Sequence, residues 1–393
     1  MKHKPGSTEV FAYVRILVFL CTLCFLCGKS SAQNFKQLHP GVEHAQVVHK
    51  IGTDPVKINL LRLDTSLVRL DVELGMDSVV GLEKISSIAT RHGAVAAINS
   101  GFFRLDSSIF AGDPAGILVL DGDLLSESLN DRVALSIENR KDTSLVEIGR
   151  YRTLSTLKTQ GGANIKIDGF NRERKSNEVV IYTPHFGRST LTDYTGKEFV
   201  VLGSVGHSEG RLVEARVGSS ILNGAQFIVS TNGNSSQKLM GVATKNRFAN
   251  WSIDTRIERL DEKSEKISIR ELDMVGGVPQ LIKNGKIDIT WEQEKAAKAF
   301  AENRHPRTAV AKLKDGKFLM VTVDGRQPGV SVGMNLQELA EYLLSLGATD
   351  AMNLDGGGST TMFLDGKVVN TPSDKEGERK IGDAILVTLR NKK

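Results

Sequence analysis

Alternating apolar and polar positions dominate the chain and predict strands joined by short polar turns. Four segments share one pattern, in which an Asp-Gly or Asn-Gly pair separates two apolar runs: ILVLDGDLL (117–125), LIKNGKIDI (281–289), AKLKDGKFLMV (311–321) and MFLDGKVV (362–369). An Asx-Gly pair readily adopts the positive φ angles of a tight turn, so each segment is predicted to be a β-hairpin. Hairpins make the strands that they join antiparallel.

Two segments have the spacing of three and four residues between apolar positions that is typical of amphipathic helices. They cover 81–93 and 335–347, and each ends on a glycine suited to a helix C-cap. Both continue into a short apolar stretch that ends on an asparagine, and five positions match between them: Leu82 with Leu336, Gly93 with Gly347, Ala94 with Ala348, Ala97 with Ala351 and Asn99 with Asn353. The alternative is two unrelated units with chance identities.

These patterns together predict a mixed α/β (α+β) fold. We expect largely antiparallel sheets with a few packed helices, and two pseudo-repeated halves around a central cleft. Each half would present an asparagine at the C-terminal end of a strand, where ligands bind in α/β sheets. The segment at about 150–270 is more polar and is expected to be a β-rich region within one domain that covers 33–393.

The N-terminus has the pattern of a secretory signal peptide. Basic residues precede an apolar run from Ile16 to Cys27, and small residues stand at Ser30 and Ala32. We expect cleavage after residue 32 and export to the periplasm or the extracellular space. The alternative is a retained membrane anchor, although the run is shorter than the roughly 20 residues that span a bilayer.

Composition and charge narrow the classes of function. All three cysteines lie within 1–32, so the predicted mature chain has no disulfide, thiolate nucleophile or cysteine-bound zinc. Loss of that segment removes four basic residues and one acidic residue, and the formal charge falls from +5 to +2. Nucleic-acid binding calls for a basic face, so nucleic acid is not expected as a partner.

The strongest chemical signal is the stretch NLDGGGSTT at 353–361. It lacks the lysine of a phosphate-binding loop, and Ser359 does not stand in a G-x-S-x-G nucleophile motif. Consecutive glycines let the backbone approach a ligand, and exposed N–H groups in such a turn bind anions. We therefore predict a site formed by Asn353, Asp355, Gly356, Gly357, Gly358 and Ser359. The alternative is a β-bulge without a ligand.

Three further stretches carry candidate binding groups. AINSGFFRLD (97–106) offers Asn99, Gly101 and Phe102, whose ring suits sugar stacking or, alternatively, the core. NRHPRTAVA (303–311) places Arg307 before a strand, where its guanidinium could bind phosphate or form a surface salt bridge. VTVDGRQPG (321–329) ends a strand on Asp324 and Gly325, where the carboxylate either takes part in the site or caps the turn.

Metal binding is left open by the sequence. The eight histidines are scattered and form no zinc-ligand spacing, which argues against a zinc hydrolase. A hard divalent cation, Ca²⁺ or Mg²⁺, bound by Asp355, Asp324 and carbonyl oxygens is a hypothesis that residue types alone do not decide.

Several stretches resemble the phosphodiester glycosidase family. They are INSGFF, GGVPQLIKNGK, RHPRTAVA, VTVDGRQ, PSDKEGER and the long run NLQELAEYLLSLGATDAMNLDGGGSTTMFLDGKVVN. The resemblance covers about 271–390 and the block at 97–103, whereas about 150–270 gives no match. It implies hydrolysis of the sugar C1–O bond in a sugar-1-phosphodiester, such as one of N-acetylglucosamine, with release of the free sugar. The matching positions are Asn99, Gly101, Phe102, Arg307, Asp324, Gly325, Asn353, Asp355, Gly356, Gly357, Gly358 and Ser359.

This chemistry assigns hypothetical roles to the matching residues. Asp355 would be the nucleophile or general base with Asp324 as its partner, Arg307 would bind phosphate, and the two asparagines would bind sugar hydroxyls. Two other functions stay open: a non-catalytic glycan-binding module, and a metal-dependent phosphodiesterase that cuts the P–O bond. The expected partner is a carbohydrate phosphodiester, without membrane insertion once the signal is cleaved, and the oligomeric state is not predicted.

Overall fold

The structure, a computed structural model, describes residues 33–203, 209–224, 227–245, 249–260, 265–268 and 270–390. The predicted signal peptide, residues 1–32, lies outside the described residues. The chain divides into the units Met1–Phe35 and Lys36–Lys393, and the description below concerns the second unit. Within the described part, no helix combines the length and the apolar character needed to cross a bilayer.

Strands make up most of the regular structure in the described residues. They are β1 (Lys36–His39), β2 (Val42–Ile51), β3 (Asp54–Leu63), β4 (Val68–Leu74), β5 (Glu83–Lys84), β6 (Ala96–Asn99), β7 (Leu118–Leu120), β8 (Asp123–Ser126), β9 (Val133–Asn139), β10 (Ser144–Thr159), β11 (Asn164–Lys166), β12 (Gly169–Phe170), β13 (Val179–Tyr182), β14 (Gly196–Leu202), β15 (Glu209–Val217), β16 (Phe227–Asn232), β17 (Asn250–Arg259), β18 (Glu265–Ile267), β19 (Leu272–Gly276), β20 (Gln280–Lys283), β21 (Lys286–Ile287), β22 (Arg307–Leu313), β23 (Phe318–Val323), β24 (Ala348–Asn353), β25 (Met362–Leu364), β26 (Lys367–Val368), β27 (Lys380–Ile381) and β28 (Asp383–Leu389). The α-helices are α1 (Ile85–Arg91), α2 (Gly233–Lys245), α3 (Lys298–Glu302) and α4 (Leu336–Ser345).

The strands form two large sheets and two small ones. An eight-stranded sheet has the order β1-β2-β3-β23-β22-β24-β20-β21, and a five-stranded sheet has the order β26-β25-β6-β28-β4. A 13-stranded sheet runs β12-β13-β16-β14-β15-β17-β10-β9-β19-β7-β8, with β11 beside β10 and β18 beside β17, while β27 pairs with β5. Every described pair is antiparallel except β12–β13. The strands curl into a nearly closed, barrel-like arrangement.

All four predicted hairpins are present, and their turns have the expected backbone. They are β7–β8, β20–β21, β22–β23 and β25–β26. In three of them both turn residues have positive φ, as in Asn284 (50°) with Gly285 (70°) and in Asp365 (47°) with Gly366 (80°). This is the geometry that Asx-Gly pairs favour in two-residue turns. The β22–β23 turn is longer, and only Gly316 has positive φ there.

The predicted mixed α/β fold with two pseudo-repeated halves around a central cleft is wrong. The molecule is mainly β, and its helices are few and short in the described residues. Both helix-to-strand units exist, with Gly93 and Gly347 at positive φ after α1 and α4, but they do not build two halves. Their strands β6 and β24 lie in different sheets with different neighbours. The local pattern identified the units, whereas the strand pairing that separates them joins residues distant in sequence.

Two apolar clusters fill the space between the sheets. The first joins the eight- and five-stranded sheets with residues of the 13-stranded sheet, on β7, β8, β9, β10, β13, β14, β16 and β19. The second lies within the 13-stranded sheet and includes Leu239 of α2. Helix α1 packs Ile85 and Ile88 against the five-stranded sheet. Helix α4 begins with a capping box between Asn335 and Glu338, which satisfies backbone N–H groups at its start.

The ends of β6 and β24 meet although the strands belong to different sheets. Just beyond these ends, the backbone N–H of Asp355 donates to the carbonyl of Ser100 over 2.9 Å. The side-chain amide of Asn99 donates to the carbonyl of Asp355 over 2.6 Å. The two stretches that the sequence marked as equivalent are thus joined directly, and the junction carries the candidate site.

Candidate active site

A pocket of about 200 Å³ opens beside the glycine-rich turn that follows β24. Its lining combines one carboxylate, three arginines, one histidine and backbone: Phe300, His305, Pro306, Arg307, Arg326, Asp355, Gly356, Gly357, Gly358 and Arg379. Among these side chains, the basic groups outnumber the single acid. The pocket therefore suits an anionic ligand.

Among the residues that the structure describes, Asp355 is the only carboxylate that lines this pocket. Its Oδ1 accepts the N–H of Gly356 over 2.9 Å, and the side chain is partly exposed. Burial raises the pKa of the Asp355 carboxyl to about 6, and the negative charge of Asp383 adds to the rise. The Ser359 hydroxyl, the Gly356 N–H and Arg379 oppose it. A carboxylate with this pKa is ionised at neutral pH and is a stronger base than an ordinary aspartate.

The glycine-rich turn needs its glycines for backbone shape and for space. Gly357 has a φ of +62° and begins a short 3₁₀ turn, Gly357–Ser359, which few other residues could enter in this way. A Cβ on Gly356 would lie 2.8 Å from the carbonyl oxygen of Pro306. A Cβ on Gly358 would overlap the Arg379 guanidinium and the Asp374 carboxylate. The turn can therefore pack directly against the basic wall of the pocket, which consists of His305, Arg307, Arg326 and Arg379.

Arg307, predicted from sequence to bind phosphate, starts β22 and is only 1% exposed. Its Nε donates to the carbonyl of Met334 (2.9 Å), and one Nη donates to the carbonyls of Phe300 (2.7 Å) and Asn303 (3.0 Å). The guanidinium also stacks 4.8 Å from the ring centre of Phe300. No carboxylate forms an ion pair with it in the described part of the chain. Burial and the charge of Arg326 lower the pKa of Arg307 to about 10.

Two further arginines and a histidine complete the basic wall, and sequence reasoning had not selected them. Arg326 is exposed, has a φ of +61° and, among the described residues, donates only to Ser373 over 3.5 Å. Arg379 is held by both oxygens of Asp374, over 2.7 and 3.0 Å. Burial and the charges of Arg307 and Arg326 lower the pKa of His305.

These basic residues carried sequence signals that were not used. His305, Arg326 and Arg379 all fall within stretches that resembled the family, namely RHPRTAVA, VTVDGRQ and PSDKEGER. In the first two stretches the sequence analysis selected Arg307 and Asp324 instead, and in the third it selected no residue. Phe300 carried no such signal, because a single aromatic in a short helix is most simply expected in the core.

The two predicted asparagines are buried and bound by protein groups. Asn99 Oδ1 accepts from the Thr308 hydroxyl (2.7 Å) and the Thr361 N–H (3.1 Å), while its amide holds Asp355. The amide of Asn353 donates to the carbonyls of Val278 and Leu354 (2.7 and 2.8 Å). Neither asparagine lines the pocket, so both act on the shape of the strand ends rather than on its surface.

Asp324 does not share the pocket with Asp355. It is 2% exposed, and its carboxylate accepts from the Asn370 amide (3.0 Å) and from the N–H of Thr371 (3.1 Å). Burial raises the pKa of Asp324, while these donors and the nearby Lys57 oppose the rise. Gly325 beside it is buried against Pro306, where a Cβ would lie 2.8 Å from the Pro306 nitrogen. The structure therefore places this pair behind the pocket wall.

The remaining predicted residues lie around the pocket rather than in its lining. Phe102 packs edge-on against Phe300, with ring centres 6.0 Å apart, and so supports an aromatic that lines the pocket. Gly101 is buried, and a Cβ there would lie 2.9 Å from an oxygen of Asp383. Ser359 is fully buried, and its hydroxyl makes no hydrogen bond of standard geometry within the described residues.

The hypothesis of a divalent cation receives no ligand cluster from the described residues. They contain no group of three or more His, Cys, Asp or Glu side chains placed to hold a metal. Asp324 and Asp355, the two proposed ligands, point into different surroundings, and the oxygens of Asp324 are engaged by Asn370 and Thr371. Cation binding stays a prediction that chelation can test.

Comparison with known proteins matches the part of the chain that carries the pocket, and it also covers much of 150–270, where no resemblance was expected. A family model described as phosphodiester glycosidase matches residues 196–388, which contain the glycine-rich turn and all three arginines of the pocket. This stretch of the chain is a phosphodiester glycosidase domain. The match confirms the resemblance predicted from sequence and supports a glycosidase, a class of hydrolases. The turn at Asn99–Gly101 lies outside the matched range.

Individual relatives support the family over shorter stretches. The N-acetylglucosamine-1-phosphodiester alpha-N-acetylglucosaminidase of Bos taurus is 38% identical over 112 residues, which are 26% of this chain and 21% of that enzyme. The chain therefore aligns with only about a fifth of the length of this curated relative.

Solved structures match over far more of the chain. A Burkholderia pseudomallei protein that carries the provisional description of an exported protein is 25% identical, with a TM-score of 0.73, over 85% of this chain and 74% of its own. A hypothetical protein from Synechocystis has the same TM-score at 21% identity, over 89% of this chain and 62% of its own. The second likeness concerns the fold alone.

Proposed function

We propose that this protein hydrolyses sugar-1-phosphodiesters at the bond between the sugar C1 and the bridging oxygen. The observation that carries the proposal is one pocket in which Asp355, the glycine-rich turn and three arginines face the same space. An anionic phosphodiester fits the basic wall, and a base with a pKa of about 6 stands beside it. The family and the bovine relative's name support this substrate class.

The basic wall would bind the phosphate. Arg307 is rigid because three backbone carbonyls hold it, so it loses little freedom when an anion binds. Arg326 has no carboxylate partner in the described part of the chain and would close over the phosphate from the solvent side. Their positive charges would also stabilise the phosphate that departs from C1.

Asp355 would act as the general base for water. It accepts a proton as the water oxygen attacks C1, and the electron pair of the broken C1–O bond stays on the phosphate oxygen. The products are a free sugar and a phosphomonoester. A phosphate is a good leaving group, so this step needs less help from a general acid than hydrolysis of an ordinary glycoside. Asp324 would serve as a buried brace for Asn370 and Thr371 rather than as a partner in proton transfer.

Export would place the enzyme in the periplasm or outside the cell. The proposal rests on the sequence pattern of residues 1–32 and on the provisional description of the Burkholderia pseudomallei protein as exported. A natural substrate would then be a phosphodiester-linked saccharide of the cell envelope or of its surroundings. Amino-terminal sequencing of the protein from its own host tests this point, with Gln33 as the expected first residue.

The reaction is tested by incubating the purified protein with an N-acetylglucosamine-1-phosphodiester in H₂¹⁸O and weighing both products. The expected result is ¹⁸O in the free sugar and none in the phosphomonoester. Proton NMR of the first-formed anomer adds the stereochemistry, and inversion is expected when Asp355 acts as a base. Retention would make Asp355 a nucleophile instead.

The same assay separates the alternatives. Sugar-1-phosphate carrying ¹⁸O on phosphorus, with activity lost on chelation, would replace the proposal by metal-dependent P–O cleavage. Recovery of intact substrates across a panel of sugars, together with measurable saccharide binding, would indicate a glycan-binding module.

A further inference from the structure

Asp383 is a buried acid at the first position of β28, and no sequence motif had drawn attention to it. It is 2% exposed, and its Oδ1 accepts from the Ser100 hydroxyl and, over 2.6 Å, from the Gly101 N–H. The next residue, Ala384, pairs with Asn99 in the five-stranded sheet. Strand pairing therefore fixes this carboxylate beside the turn that follows β6.

That turn holds the backbone of Asp355 on both sides. The Ser100 carbonyl accepts the Asp355 N–H over 2.9 Å, and the Asn99 amide donates to the Asp355 carbonyl over 2.6 Å. Ser100 therefore links the two acids: its hydroxyl donates to Asp383, and its carbonyl accepts from Asp355, the residue proposed to act on water. A shift of the turn would move the Asp355 carboxylate within the pocket.

A structural role alone would not require a charge at this position. An asparagine could accept the same two hydrogen bonds through its Oδ1, without the desolvation penalty of a buried carboxylate. No arginine, lysine or histidine forms an ion pair with Asp383 in the described part of the chain. Uncompensated buried acids of this kind are concentrated at functional sites.

We propose that Asp383 is a positioning residue for Asp355, which fixes its backbone through the Ser100–Gly101 turn and places a buried negative charge near its carboxylate. This inference rests on the proposed function, because it assigns Asp355 the role of a base. The pKa of Asp355 agrees with this arrangement. Burial is the largest cause of its rise, and the negative charge of Asp383 also raises it.

Other charges face Asp355 and set the background for the test. The charge of Arg379 lowers the pKa of Asp355. His305, Arg307 and Arg326 line the same pocket on neighbouring segments. None of them touches the Ser100–Gly101 turn through a hydrogen bond in the described residues, so a change at position 383 leaves this basic wall in place.

The test titrates the aspartate carboxyls by ¹³C NMR in protein labelled at Asp, with the Asp355 signal assigned from Asp355→Asn. In Asp383→Asn the midpoint of Asp355 is expected to shift to lower pH. The matched control is Asp273→Asn, which removes a different buried carboxylate. Asp273 accepts the N–H groups of Val72 and Asp121 and is not among the main causes of the raised pKa of Asp355. An unchanged Asp355 midpoint in Asp383→Asn overturns the proposal.

Wild-type protein provides a second measurement that needs no variant at position 383. If the two carboxyls are coupled, the Asp355 signal shows a second inflection at the midpoint of Asp383. Independent single inflections in both signals overturn the proposal even if Asp383→Asn fails to fold.

Activity measurements then test the role of Asp383 separately from the proposed function. In Asp383→Asn the acid limb of the kcat/KM profile is expected to move to lower pH together with the NMR midpoint, whereas Asp273→Asn keeps the wild-type limb. If the wild type cleaves no sugar-1-phosphodiester, the proposed function fails while the NMR result still decides the coupling. A limb that stays fixed while the NMR midpoint moves would separate Asp383 from catalysis.

Discussion

Asp324 and Asp355 look alike in the sequence and have opposite surroundings in the structure. Each ends a strand and precedes a glycine, in VTVDGR and NLDGGG. Asp324 is sealed in and bound by the Asn370 amide and the Thr371 N–H, whereas Asp355 faces the pocket and accepts one backbone N–H. Both have a raised pKa because of burial, so a raised pKa alone does not separate them. What separates them is access to the pocket, which Asp355 lines and Asp324 does not.

The largest expected effect is that of Asp355→Asn. Loss of a positioned base lowers kcat by about 10²- to 10⁴-fold, while Tm stays close to that of the wild type because the Gly356 N–H can still be accepted. Sugar release under saturating substrate measures it. Near-full turnover in this variant would show that Asp355 is not needed for the reaction, and would contradict the contrast between the two aspartates.

The pH profile of the wild type comes next. A base with a pKa of about 6 must lose its proton before it can accept one from water, so kcat/KM rises with pH through that value. Below pH 6 the rate should fall about tenfold for each pH unit. A profile that instead falls as the pH rises through 6 would make Asp355 a proton donor.

Arg326→Gln tests the exposed part of the basic wall. Loss of one charge-assisted contact to phosphate should raise KM roughly tenfold, with a smaller change in kcat. Arg256→Gln is a matched control, since it removes another exposed arginine, on β17, that does not line the pocket. Equal KM values for the two variants would place the phosphate elsewhere.

Asp324→Asn addresses the other half of the comparison. Two donors, the Asn370 amide and the Thr371 N–H, would compete for one remaining acceptor oxygen, and the free energy of unfolding should fall by about 1–3 kcal/mol. Thermal unfolding measures the loss, and kcat should stay within roughly tenfold of the wild type. A loss of kcat as large as that of Asp355→Asn, in a folded variant, would restore Asp324 as a catalytic partner.

The smallest effect concerns Glu73, a buried acid that does not line the pocket. Burial, followed by the charges of Asp71 and Asp273, raises the pKa of Glu73 to about 7. The folded state therefore holds this proton more tightly than the unfolded state, and wild-type stability declines as pH rises from about 4.5 to 7. Glu73→Gln should have a higher Tm than the wild type at pH 8 and no such advantage at pH 5, with unchanged activity. Equal Tm differences at both pH values would contradict the shift.

Local features were readable from the sequence because neighbouring residues determine them. The Asx-Gly turns, the two amphipathic helices with their C-cap glycines and the glycine-rich turn depend on backbone preferences within a few residues. Helix 81–93 was nonetheless predicted too long, since Glu83 and Lys84 pair with Lys380 and Ile381 instead. The pattern of residues 81–93 gives no sign of this strand pairing, because its partner lies far away in the sequence.

The amino-acid sequence by itself determined the hairpins, the resemblance to the family and the presence of a glycine-rich turn. Only the tertiary structure decided that the fold is mainly β and that Arg326 and Arg379 join Arg307. It also connected Asp383, rather than Asp324, to Asp355 through the Ser100–Gly101 turn. These outcomes depend on hydrogen bonds between residues far apart in the chain, such as Gly101 with Asp383. The packing of the whole sheet fixes such contacts, and no short stretch of sequence contains them.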